Sequence, residues 1–230
     1  MDMQLIKHPS IEQYLISTCL YIIDELNELH AGKSKPELKK IADTQYNEMD
    51  FTVRLGYPFR HLAHYTAGDK SKNKAAKSNH DIFVASKDFK IEVKFLKNWK
   101  NPESDNNTNS LNWEPIQQDF DWLIDEIDSG FKSKRAFIIG WFNCVDNFSS
   151  IMKLGETAGS RPIANEMRVC YFPFLKRTNE RPPTYTRDLD YEYRDAYQKL
   201  KFKPYGRNKE EYNCMFIGNE NDTFHFAIYF

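Results

Sequence analysis

The sequence predicts an α/β (α+β) fold with a mixed central sheet flanked by helices. Three observations predict it. Helical apolar spacing dominates the first sixty residues. Two short apolar runs then flank a polar break at Ser86-Lys87-Asp88, which is how a β-hairpin reads. Finally, a helix pattern leads into Arg135-Ala136-Phe137-Ile138-Ile139-Gly140-Trp141-Phe142, a run apolar enough to be buried on both faces. The order is therefore helices, hairpin, helix and buried strand.

Taken in order, Ser10 can cap a helix over 9–30, whose stripe is Ile11, Tyr14, Leu15, Thr18, Ile22, Leu26 and Leu29, with Gly32 as the stop. A second helix opens at Pro36 with Leu38, Ile41, Ala42, Gln45 and Met49. It either runs past Asp50 or breaks near Gly56-Tyr57-Pro58, where Pro58 can start a short helix through Leu62 and Tyr65. His61, His64 and His80 lack metal-ligand spacing, and the first two read as packing or helix-surface residues. Residues 67–79, AGDKSKNKAAKSN, have no apolar period and read as a loop over a ligand. Lys70, Lys72, Lys74 and Lys77 are placed there to meet a phosphate backbone, although a merely solvated loop has the same composition.

Ile82 to Ala85 and Phe89 to Phe95 are the two hairpin strands. With Lys87-Asp88 as a two-residue turn, Phe83 faces Glu92 and Asp81 faces Lys94. Opposed residues share a face, as do positions two apart, so Asp81, Glu92 and Lys94 cluster on one side and Ile91, Val93 and Phe95 on the other. Two carboxylates and an ammonium at a sheet end suit a divalent cation held beside a phosphate. The plain alternative is a hairpin with solvated charges. Residues 98–113 read as a polar loop, and Pro115 starts a helix on Ile116, Phe120, Leu123 and Ile127.

Beyond residue 142 the pattern is weaker. Glu166 to Leu175 reads as a strand and Leu189 to Phe202 as a helix. Tyr212–Ile217 and Thr223–Phe230 read as a terminal hairpin. The tyrosines and arginines between Arg177 and Arg207 read as packing rather than as base-stacking groups.

Composition narrows the function. With 40% apolar and 28% charged residues, the chain belongs with globular proteins. A net charge of −1 argues against indiscriminate nucleic-acid binding. Its distribution is uneven: nine lysines against three acids lie from Lys70 to Lys100, and eight acids without Lys or Arg from Asn101 to Asp128. The basic block surrounds the hairpin. Four scattered cysteines, Cys19, Cys144, Cys170 and Cys214, are expected as buried free thiols in a reducing cytosol. No membrane span and no secretory leader is expected, so the expected location is cytoplasmic.

Asp81, then ten residues, then Glu92-Val93-Lys94 resembles the motif of the PD-(D/E)XK nuclease superfamily, which includes the restriction endonucleases. His80 stands where that motif usually has proline. The resemblance implies a restriction-endonuclease-like αβββαβ core and an aromatic-rich C-terminal extension. The whole of 1–230 would then be one nuclease-like domain, with N-terminal helices over 1–66, the catalytic core over 79–142 and the extension over 143–230. It implies a metal-dependent DNA endonuclease using Mg²⁺ or Mn²⁺, held by Asp81, Glu92 and the Val93 carbonyl, with Lys94 orienting the nucleophile or stabilising charge. A helix before the motif often supplies another acid in such enzymes; Glu48 is the choice and Asp50 the next. Some families place a glutamine on the following helix, which points to Gln117. DNA is the implied partner, no membrane is involved, and a homodimer is compatible. A catalytically silent nuclease-fold binding module and an unrelated α+β protein-interaction domain stand as alternatives.

Overall fold

A computed structural model describes residues 10–60, 63–65, 80–97, 113–144, 148–156, 162–195, 197–205, 207 and 211–230. Three helices come first: α1 (Ile11–Leu29), α2 (Lys35–Gln45) and α3 (Glu48–Gly56). Strands β1 (Ala63–Tyr65), β2 (Ile82–Val84) and β3 (Phe89–Leu96) follow, then α4 (Trp113–Glu126) and β4 (Arg135–Phe142). The remainder comprises α5 (Phe148–Ile151), α6 (Glu166–Val169), β5 (Leu175–Arg177), β6 (Leu189–Tyr191), β7 (Tyr197–Phe202), β8 (Tyr212–Ile217) and β9 (Phe224–Tyr229). Seven strands form one sheet in the order β1-β2-β3-β4-β9-β8-β7. Only β3 and β4 run parallel in it; the other pairs are antiparallel, so the sheet is mixed. Strands β5 and β6 form a separate ribbon.

Each face of the sheet carries its own core. Ile91, Val93, Phe95, Ala136, Ile138 and the even residues Phe224 to Phe230 pack against α1 and α3. Leu96, Phe137, Ile139, Trp141, Ala227 and Tyr229 pack against α4 and the segments around Phe172 and Phe174. Strand β4 is buried along its whole length, as its unbroken apolar run predicts. Gly140 is required there: a Cβ at that position would lie 2.9 Å from the Phe224 ring. Among the described residues no helix is long and apolar enough to cross a membrane. The four cysteines are free thiols, and all but Cys170 are buried.

Five expectations change. The second helix breaks at Tyr46-Asn47, because Asn47 caps α3: its side chain accepts from the Asp50 N–H at 3.2 Å, while Asp50 accepts from the Asn47 N–H at 2.7 Å. Met49 is 40% exposed and belongs to no core stripe. Pro58 starts only a single 3₁₀ turn, Tyr57–Phe59, and Tyr65 lies in β1, which pairs with β2.

The hairpin turn has four residues rather than two. A 3₁₀ turn at Ala85–Lys87 is closed by Asp88 in the left-handed region at φ 54°, a conformation that aspartate tolerates. Val84 therefore pairs with Phe89, Phe83 with Lys90 and Ile82 with Ile91. Continuing the ladder sets Asp81 opposite Glu92, not Lys94, on the same face as expected. Arg135, 1% exposed, ties this turn down: its guanidinium donates to the Asp88 carbonyl at 2.6 Å and bonds Glu126 at the end of α4.

Residues 166–175 are not a strand. Asn165 accepts from the Met167 N–H at 2.9 Å and caps the short α6, which is followed by turns and β5. Residues 189–202 are not a helix but β6 and β7; Gln198 and Phe202 face inward while Tyr197, Lys199 and Lys201 face out, the two-residue period of a strand.

Candidate active site

Strand β2 begins at Ile82, while β3 continues beyond its Ile91 partner to Leu96. The edge of β3 past Ile91 has no strand beside it among the described residues. Its inward N–H groups still need acceptors. Two carboxylates supply them: the Val93 N–H donates to Asp81 Oδ2 at 2.8 Å, and the Phe95 N–H to Glu48 Oε2 at 3.3 Å. Glu48 reaches this edge because it is the first residue of α3, whose cap is already completed by Asn47 and Asp50. Its negative charge also suits a helix N-terminus. A residue's N–H and C=O point the same way along a strand, so the Val93 carbonyl opens onto the same edge.

Glu92 and Lys94 project to the α4 face. The Lys94 ammonium lies 3.1 Å from Glu92 Oε1, 3.4 Å from the Val93 carbonyl and 3.6 Å from Asp119 Oδ2 on α4. His80 packs its ring on Trp122 at 4.6 Å between centroids and sets Nδ1 3.9 Å from Glu92 Oε2. Four carboxylates thus surround one ammonium in a largely buried cluster.

The electrostatics follow from that count. Burial, then the Glu92 charge, pushes the Asp81 carboxyl up to about 7; the Val93 N–H and Lys94 only partly offset them. Burial likewise raises Asp119 to about 7 against the pull of Lys94. Burial works against the Lys94 ammonium, but the charges of Asp119, Glu48, Glu92 and Asp81 outweigh it and raise its pKa. An excess of buried negative charge of this kind is what a further cation relieves.

No protein-family model, no curated protein and no solved structure matches the chain.

Among the described residues no three His, Cys, Asp or Glu side chains are set to hold a metal ion together. Asp81, Glu92 and the Val93 carbonyl are a smaller, all-oxygen donor set. Such a set still fits Mg²⁺, which keeps several waters and takes only one or two carboxylates. Asp119 Oδ2 adds a buried oxygen without a hydrogen-bond partner.

Five of the residues singled out from sequence meet here: Glu48, Asp81, Glu92, Val93 through its carbonyl, and Lys94. Gln117 does not join them. Its Oε1 accepts from Trp113 Nε1 at 2.8 Å, and it lines a separate hollow on another flank of α4. Asp50 is taken up in the α3 cap. Lys70, Lys72, Lys74 and Lys77, and His61, lie outside the described residues. Asp119 and Trp122 were not foreseen. The signal for Asp119 is its place three residues after Ile116 and four before Leu123, an acid at a core position of the helix.

Proposed function

We propose that the chain is a metal-dependent phosphodiesterase acting on DNA, an endonuclease of restriction type. The observation that carries this is the grouping of Glu48, Asp81, Glu92 and Asp119 around Lys94 at the open edge of β3. The order α3-β1-β2-β3-α4-β4, with β3 and β4 parallel, supports a restriction-endonuclease-like αβββαβ core.

Asp81, Glu92 and the Val93 carbonyl would hold Mg²⁺ or Mn²⁺, which when bound polarises a phosphate and acidifies water. Lys94 stays protonated, because the acids around it raise its pKa. Its ammonium stands beside the carboxylates and serves charge that grows on a phosphate oxygen, or fixes the attacking water. Asp119 and Glu92 hold that ammonium from two sides and so set its position. Glu48 keeps the Phe95 N–H satisfied and adds negative charge at the same edge. That no three His, Cys, Asp or Glu side chains among the described residues are set to hold one metal ion together favours, as second reading, a silent nuclease-fold binder.

Cleavage of plasmid, linear and single-stranded DNA with Mg²⁺ or Mn²⁺ tests the proposal. The expected result is cleavage that stops in EDTA and falls by roughly 10²–10³ in Lys94→Ala, the scale of one lost electrostatic stabiliser. DNA binding without cleavage in either metal would leave the silent binder. Cleavage unaffected by Lys94→Ala would place the chemistry elsewhere.

A further inference from the structure

A second polar hollow, of about 220 Å³, lies beside the N-terminal turn of α4. Its wall contains the aromatic rings of Trp113, Tyr171 and Tyr205, and the polar groups of Gln117, Asn165 and Arg168. Among the described residues no Asp or Glu lines it, although α4 itself is rich in acids.

The amide orientations there are determined by chemistry. Trp113 Nε1 can only donate, so the Gln117 atom it meets at 2.8 Å is the carbonyl oxygen. The Met167 N–H can only donate, so Asn165 likewise presents its oxygen to it, at 2.9 Å. Both oxygens are thereby turned toward those donors, each with one lone pair still open, and both amino groups lack hydrogen-bond partners among the described residues. Arg168 uses Nη1 on the Lys153 and Gly155 carbonyls, with its guanidinium 5.6 Å from the Trp113 ring, and no bond engages its Nη2 among the described residues. The hollow therefore offers N–H donors and aromatic faces. Tyr205, 71% exposed, stands at its rim.

We infer that this hollow binds one unpaired nucleotide of a nucleic-acid strand. The base lies against the aromatic rings, and its carbonyl or phosphate oxygens meet Arg168, Gln117 and Asn165. Each part of the wall suits that ligand: aromatic faces stack any base, and guanidinium and amide N–H groups match oxygen acceptors. The volume is below the roughly 300–1,000 Å³ of sites for drug-sized ligands, which limits the occupant to about a single nucleotide. The inference deepens the nuclease proposal and rests on it for its biological sense. Gln117 lines the hollow and Asp119 meets Lys94, and two positions on a helix differ by about 200°. A strand laid across the start of α4 reaches both flanks. Gln117 then acts as a strand-binding residue.

The experiment titrates the full chain calorimetrically with thymidine and deoxyadenosine monophosphates, in EDTA so that no metal bridges them to the carboxylates. Gln117→Glu keeps the shape and the Trp113 bond but turns a donor into an acceptor. Tyr205→Ala removes a rim ring and no buried contact. Both variants are expected to keep the wild-type melting temperature and to weaken nucleotide binding at least about fivefold, the lower limit for losing a base stack. Asp81→Asn is expected to leave that binding unchanged. No saturable binding by the wild type, unchanged affinity in both hollow variants, or loss of binding in Asp81→Asn each overturns the inference. Nucleotide binding that persists while DNA is never cleaved removes the nuclease proposal and leaves the hollow standing.

Discussion

Two polar groups of residues are buried on the same side of the sheet, and burial acts on them in opposite directions. At the edge of β3, acids crowd one lysine, and burial drives Asp81 and Asp119 toward the protonated form. In the middle of the sheet, His225 on β9 lies among the rings of Trp141, Tyr191 and Phe216, with Nε2 3.2 Å from the Tyr193 hydroxyl and 3.1 Å from the Asn219 carbonyl. Burial lowers its pKa to about 4, so it is neutral and acts as a packed ring. The difference is one of access to compensation. The central site is sealed by aromatic neighbours and stays uncharged, whereas the edge site gathers more carboxylates than its one ammonium balances. The candidate site lies where the sheet leaves backbone groups to be satisfied by side chains.

The largest effect that would break this contrast comes from removing charge at the edge. Asp81→Asn and Glu92→Gln are expected to cut DNA cleavage by roughly 10²–10³ or more, yet to raise the melting temperature in EDTA, because each relieves repulsion. In Asp81→Asn the new amide retains an oxygen for the Val93 N–H, so the strand edge survives. Calorimetric Mn²⁺ affinity unchanged in both variants would count against ligation by these residues.

The pH dependence sharpens the contrast next. Asp81 titrates near 3.8 when unfolded and about 7 when folded. Between those values the folded state holds more protons, so this contribution lowers stability as pH rises and its penalty is complete above pH 7. His225 runs the other way: its value falls from 6.5 to about 4, so the unfolded state holds more protons in between. Its stability is full above pH 6.5 and is lost as pH falls through 4. Melting curves of Asp81→Asn should lose part of the decline toward neutral pH, and those of His225→Phe part of the loss toward acid. His225→Phe should also cost about 1–3 kcal/mol at neutral pH, by leaving the Tyr193 hydroxyl and the Asn219 carbonyl unpaired. Identical pH profiles in the wild type and both variants would remove the distinction between the two regions.

An effect on stability alone is expected at the turn under the His225 ring. Gly218 has φ 127°, and a Cβ there would sit 2.4 Å from His225 Cδ2. Gly218→Ala should cost about 1–3 kcal/mol in chemical denaturation, from backbone strain and the shifted ring. Cleavage should not change, since the turn lies on neither flank of the β3 edge.

How much of this was legible follows from which forces are local. The face shared by Asp81, Glu92 and Lys94 was readable because side-chain alternation needs no tertiary information. Strands β4, β8 and β9 were readable because their apolar runs are buried on both sides. The segments at 166–175 and 189–202 were not. Aromatic and aliphatic residues there pack against the α4 face of the sheet, and that packing rather than periodicity selects a turn of helix or a strand. Glu48 was legible only as one acid among several; the capping pair Asn47 and Asp50 distinguishes it. Asp119 carried a sequence signal, an acid inside an apolar stripe, but its partner Lys94 is distant in the chain.

Arg135 settles something the hydrophobic pattern leaves degenerate. Sliding β2 by two residues along β3 returns every side chain to its own face, so burial alone hardly separates the two alignments. Charge separates them, because one puts Asp81 across from Glu92 and the other across from Lys94. The guanidinium in the core holds the Asp88 carbonyl at 2.6 Å and with it the four-residue turn. Only one of the alignments has that turn. A single buried cation, remote from the carboxylates in function, thus acts as the arbiter of their pairing: it selects the repulsive arrangement over the self-neutralising one, and keeps two acids face to face.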